Sequence, residues 1–132
     1  MGGHNAGEVA SHLAVEAIHQ FIADSAAGAA DITWPFGLEV AQSIDVNRLT
    51  TAVRLANRKV YAEGSRRAEL SGMGTTVVAA LVNGDRMTLA SVGDSRIYRL
   101  RDGSLEQLTR DDTWLASVLG AKEAEDADPA HP

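Results

Sequence analysis

The spacing of apolar residues changes once along this chain, and that change limits the folds open to it. Val9, Leu13, Ala17 and Phe21 recur at four-residue steps with Ile18 and Ile22 beside them, the stripe of an amphipathic helix. Asn5 is placed to cap this helix, Glu8 to reach back in a capping box, and the Ala- and Gly-rich stretch Ser25–Ala30 to end it, which predicts a helix over Ala6–Ser25. A second helix is expected over Val46–Ser65, with Leu49, Val53, Ala56 and Val60 on one side, Asn47, Arg54, Arg58 and Lys59 mostly on the other, and Asp45 as its N-cap. Between them Trp34-Pro35-Phe36-Gly37 breaks the pattern, and its two aromatics are expected to plug one edge of the core.

From Thr75 onward the helical spacing is gone. Thr75–Val82 is a short apolar run with β-branched residues at its start, the pattern of a buried strand. Asn83-Gly84-Asp85 turns the chain, because Asn-Gly accepts positive φ cheaply, and Arg86–Val92 returns antiparallel. Gly93-Asp94 breaks the chain again, Arg96–Arg101 alternates, and Asp102-Gly103 turns it into Leu105–Leu108. A final helix is expected over Thr113–Leu119 with Gly120 as its C-cap. The order is α+β: two amphipathic helices packed on one face of a four-strand antiparallel meander. Thr75–Val82 is apolar on both alternating faces, so a second layer should cover the side opposite the helices, supplied by self-association or by further chain.

A length of 132 residues allows one core, and 45% hydrophobic with 23% charged residues is a globular composition, while 5% aromatics leaves the filling to aliphatic residues and alanine. The net charge of −6 argues against a general nucleic-acid binder, which needs a basic surface to displace counterions. No apolar run approaches the roughly 20 residues that span a bilayer, so no membrane partner is expected. Cysteine is absent, which removes disulfides, thiolate metal sites and a cysteine nucleophile and fits a cytoplasmic protein. Asp111, Asp112, Glu123, Glu125, Asp126 and Asp128 against Lys122 read as a solvated acidic end or, alternatively, as a site for a cation.

Two segments place glycine beside polar residues at a strand end: Gly72-Met73-Gly74-Thr75-Thr76 and Val92-Gly93-Asp94-Ser95-Arg96. Backbone can approach a ligand closely at such places. Asp94 reads either as a turn aspartate bonded to its own backbone or as a metal ligand. Arg96, Arg99 and Arg101 read either as a solvated sheet edge or as a phosphate-binding group. His4, His12, His19 and His131 have no ligand spacing with a carboxylate.

Four stretches, in order, carry a resemblance: Met1-Gly2-Gly3-His4-Asn5-Ala6-Gly7-Glu8, Ser71-Gly72-Met73-Gly74-Thr75-Thr76, Val92-Gly93-Asp94-Ser95-Arg96-Ile97-Tyr98-Arg99-Leu100, and Leu108-Thr109-Arg110-Asp111. Together they resemble the bacterial branch of the metal-dependent, PPM-type (type 2C) serine/threonine protein phosphatases over essentially the whole chain. The resemblance implies that residues 1–132 are the central part of a domain close to twice this length, an α-β-β-α sandwich that hydrolyses phosphoserine and phosphothreonine proteins with Mg2+ or Mn2+. Its first motif begins Asp-Gly-Met-Gly-Gly-His, and this chain opens at that Met. The resemblance therefore implies that the bridging metal aspartate, the upstream phosphate-holding arginine and the later Asp-Gly and Asp-Asn motifs lie outside this sequence.

What remains by residue is Asp94, matching the aspartate of an additional, weaker metal site. Gly2, Gly3 and His4 stand at the rim of the first motif, and Gly74, Thr75 and Thr76 line the neighbouring strand. Met1 takes the position where other relatives carry a histidine general acid, and Asp112 stands where many have His. No catalytic residue is assigned. Two readings follow: a phosphatase-domain segment inactive alone, or a non-catalytic module that covers its exposed sheet by pairing with a copy of itself or a full-length relative.

Overall fold

The computed structural model describes residues 5–26, 32–111 and 119–120. They divide into two compact units, residues 1–75 and 76–132, with the boundary inside the Gly74-Thr75-Thr76 stretch.

The first unit is a pair of helices, α1 (Asn5–Asp24) and α2 (Ile44–Arg66), packed side by side. On α1 the predicted stripe is the covered one, but its deepest positions are Ala10 and Ala14, with Leu13, Ala17 and Phe21 flanking them half-buried. Alanine along the line of closest approach lets two helix backbones come near each other, which suits a chain poor in aromatics. The helix already includes Asn5, so it starts one residue before the predicted Ala6. On α2, Val46, Leu49, Ala52, Val53, Ala56 and Val60 form the buried face.

Two polar positions correct the sequence reading of this unit, and Arg48 adds a link between the helices. The N-cap of α2 is Ser43, whose Oγ accepts from the Val46 amide at 3.2 Å; Asp45, the predicted cap, lies in the first turn and pairs with Arg48 at 3.2 Å. Asn47, expected on the polar side, is buried and clamps the preceding loop: its Nδ2 donates to the Glu39 and Ser43 carbonyls, and its Oδ1 accepts from the Glu39 amide at 2.8 Å. Arg48 reaches α1, donating through Nε to Ser25 Oγ and through Nη2 to the Ile22 carbonyl, both at 2.8 Å. A guanidinium on the last carbonyls of a helix satisfies acceptors that lack intrahelical partners and sits at the negative end of the dipole.

The two loop aromatics differ. Trp34 is half-buried, its ring edge-to-face with Phe21 at 6.1 Å, whereas Phe36 is exposed under the guanidinium groups of Arg58 and Arg54 at 5.0 and 6.0 Å. One of the two expected plugs is thus a platform for cations.

The second unit is antiparallel. β1 (Val77–Asn83) and β2 (Arg86–Val92) form a hairpin from Val77 opposite Val92 to Asn83 opposite Arg86. Within the predicted turn Asn83-Gly84-Asp85 the two-residue loop is Gly84-Asp85: Asn83 is paired in the strand, and of the three only Gly84 takes positive φ, at 64°. A glycine at the first central position suits the right-handed twist of the flanking strands. β3 (Tyr98–Arg101) and β4 (Ser104–Gln107) form a second hairpin on Asp102 (φ 51°) and Gly103 (φ 78°), a turn with both central residues left-handed.

The expected four-strand meander is therefore two separate sheets. β2 pairs not with β3 but with β5 (Leu119–Gly120), through Thr88 opposite Gly120 and Leu89 opposite Leu119. Leu119 and Gly120 were expected to end a helix and serve as its C-cap; the ladder to β2 makes them a strand instead, while 113–118 lie outside the described residues. Leu89 and Leu108 form the buried cluster of this unit, with Met87 and Ile97 against them. The strand covered on both faces is β2, at Thr88–Ser91, and β1 alternates, leaving Val78, Ala80 and Val82 exposed. Among the described residues no helix is long and apolar enough to cross a membrane.

Candidate functional site

The bend between β2 and β3, which carries Asp94, lies against Thr76; of the other sequence-predicted residues, Gly2, Gly3 and His4 lie outside the described residues. Gly93 sits there at φ 97°, where a side chain is strained, and a Cβ on it would stand 2.5 Å from Thr76 Cγ2. Both the conformation and the contact demand glycine. Close by, the hydroxyls of Thr76 and Ser95 are hydrogen-bonded at 2.7 Å, so the strand start after Gly74 and the bend after β2 are tied on both sides of Asp94. Asp94 itself projects from the bend, exposed. The expectation that it bonds its own backbone is not met: it makes no hydrogen bond or ion pair among the described residues.

The bend is braced on its far side by the last motif. Arg96 donates through Nε and Nη2 to the two oxygens of Asp111 at 2.9 and 2.8 Å, and through Nη1 to the Tyr98 hydroxyl at 3.1 Å. These bonds raise the pKa of Arg96, Asp111 contributing first and Tyr98 next, and the Arg96 hydrogen bond lowers that of Asp111. Ile97 N–H donates to Thr109 Oγ1 at 3.0 Å, and Leu108 N–H to the Ile97 carbonyl at 2.8 Å. Arg99 is paired with Glu106 across the β3–β4 hairpin. Two of the three arginines that might have gripped phosphate thus already hold carboxylates, and neither a free anion site nor a bare sheet edge describes them. Sequence reasoning listed Arg96 and Asp111 in separate motifs; the opposite charges fifteen positions apart were a signal for their union, but an ambiguous one among so many arginines.

The two-metal chemistry implied by the resemblance needs a cage of oxygen ligands around each ion. Asp94 is the right donor type, but among the described residues no group of three or more His, Asp or Glu side chains is close enough together to hold an ion. The described residues do not fit a two-metal centre. Met1–His4, the rim of the first motif, and Asp112–Val118 lie outside the described residues, as does His131.

Comparison with known proteins settles the family. The profile of protein phosphatase 2C matches residues 1–123. The chain belongs to the protein phosphatase 2C family. Within it, the serine/threonine protein phosphatase PstP of Mycobacterium tuberculosis is 40% identical over 119 residues, which are 90% of this chain and 20% of that protein. A serine/threonine phosphatase, stp, of Listeria welshimeri is 34% identical over 90% of this chain and 43% of its own length. Among solved structures, the PstP catalytic domain in complex with two manganese ions superposes with a TM-score of 0.63 at 42% identity, covering 87% of this chain and 44% of that one. This type 2C chain thus spans less than half the length of these relatives, and its α+β elements are those of a type 2C phosphatase structure.

Proposed function

We propose that this chain is the segment of a metal-dependent serine/threonine protein phosphatase that carries one metal-facing carboxylate, Asp94, and that it is catalytically silent by itself. The observation that carries the reading is the Asp94 bend, built on an obligatory Gly93 and braced by Thr76–Ser95 and Arg96–Asp111, in a member of a family whose similar proteins are serine/threonine phosphatases. Mg2+ or Mn2+ would supply an activated water and neutralise charge on the departing oxygen. For that, more carboxylates than Asp94 are required, and the rest of a whole domain would provide them. The substrates would be phosphoserine and phosphothreonine proteins of the cytoplasm.

The test is a chimera in which this chain replaces the matched segment of the PstP catalytic domain. The expected result is Mn2+-dependent hydrolysis of a phosphothreonine peptide by the chimera, lowered by Asp94→Ala, and none by the isolated chain. Chelator-sensitive hydrolysis by the isolated chain would overturn the reading. A second reading, a non-catalytic module that self-associates through its sheet, is favoured by the exposed apolar face of β1, where Val82 is 67% exposed. Light scattering decides it: a monomer at high concentration removes it.

A further inference from the structure

Asp94 makes no hydrogen bond or ion pair among the described residues, so no side chain there grips its carboxylate directly. The direction in which it leaves the bend is set by the backbone on either side, at Gly93 and Ser95. One side chain touches both. Thr76, half-buried just before β1, puts its methyl Cγ2 where a Cβ on Gly93 would come within 2.5 Å, so Gly93 at φ 97° lies directly against it. Its hydroxyl is hydrogen-bonded to Ser95 Oγ at 2.7 Å.

These contacts use the two branches of one β-branched side chain, which is stiff at χ1, so a change of rotamer would break both together. Serine at this position would keep only the hydroxyl contact and valine only the methyl contact. The hydroxyl pair is half-buried, where a hydrogen bond competes less with water than at the surface. The other brace of the bend, Arg96 with Asp111, is an exposed ion pair of the kind that contributes little. An exposed aspartate on an unsupported bend samples many directions and gives them up on engaging a cation, whereas a bend held on both flanks has already lost them.

We propose that Thr76 is the positioning residue of Asp94: its methyl seats Gly93, its hydroxyl holds Ser95, and together they fix the direction in which the Asp94 carboxylate is presented. The consequence for metal affinity rests on the reading of Asp94 as a metal-facing carboxylate; the positioning itself does not.

The test uses the full chain and two readouts, NMR relaxation of the backbone amides and paramagnetic broadening during titration with Mn2+ alone. Thr76→Val keeps the methyl branch and removes the hydroxyl. It is expected to lower the order parameter of the Asp94 amide from about 0.85, a rigid backbone, towards about 0.6, while the amides of β1 and β2 keep theirs. Mn2+ binding should weaken about fivefold, the net worth of one hydrogen bond. Ser95→Ala removes the same bond from its other end and should give the same losses, with the two substitutions combined adding nothing further. Thr76→Ser, which keeps the hydroxyl, should fall between Thr76→Val and the original chain in both readouts. The proposal is overturned if Asp94 keeps its order in both Thr76→Val and Ser95→Ala, or if order is lost equally along β1 and β2, which marks a general loss of stability. It is also overturned if order falls while Mn2+ binding that Asp94→Ala abolishes does not weaken. If Asp94→Ala leaves Mn2+ binding intact, the metal reading of Asp94 fails, and the order parameters alone decide the positioning.

Discussion

The helical unit and the strand unit treat their polar groups in opposite ways. Around α2 two polar side chains are engaged by neighbouring backbone: Asn47 spends its amide on the preceding loop, and Arg48 closes the end of α1. In the strand unit Ser91 is wholly buried with its hydroxyl unpartnered among the described residues, while Val78, Val82, Leu100 and Leu105 are exposed. Exposed apolar side chains occur in both units, Val15, Val40 and Tyr61 among those of the first, so the contrast lies in these polar groups and not in the surfaces. The motif at Gly93–Arg96 falls where backbone geometry is specified tightly, as expected where loops carry function on a rigid scaffold.

Four substitutions or titrations would break or sharpen that contrast. The largest effect is expected from Gly93→Ala, which forces a Cβ against Thr76 at a positive φ and should cost about 2–4 kcal/mol, measured by urea unfolding. Arg48→Met comes next. It strips two acceptors at the end of α1 and leaves the poorly exposed Asp45 without its cation, for a loss of about 2–3 kcal/mol confined to the helical unit in hydrogen exchange.

Ser91→Ala has the opposite sign. Removing an unpartnered buried hydroxyl should leave stability unchanged or raise it by up to about 1 kcal/mol, and a clear loss would show that Ser91 has a partner. The smallest effect belongs to Asp111. Its carboxyl pKa is lowered in the folded chain, so the stabilisation from its exposed pair with Arg96 is present above the ordinary value of 3.8 and is lost as pH falls through the lower folded value. NMR titration should place the Asp111 midpoint below 3.8, and Arg96→Gln should return it there.

How much could be read from residues alone follows the range of the interactions involved. The stripes of α1 and α2 were legible because helix periodicity is local, and the bend at Gly93-Asp94 because glycine beside a short polar residue at a strand end is a local signal. Ser43 and Asp45 are both good caps two positions apart, and only the amide of Val46 chooses between them. Asn47 was misplaced because its partners are loop carbonyls that no helix pattern announces. β5 was misread because two residues acquire strand character only from β2, some thirty positions earlier. The meander failed for a related reason: the tight bend that sets Asp94 outward also takes β3 out of register with β2, so the feature that makes the site divides the sheet.

The central proposal is that Asp94 is a metal-facing carboxylate, while the described residues do not group the further ligands that two ions need. Calorimetric titration of the 132-residue chain with Mn2+ tests it most directly. The account predicts weak, millimolar binding to a single site that Asp94→Ala removes, as a lone exposed carboxylate should give. Tight binding of two equivalents of Mn2+ by the isolated chain would contradict it.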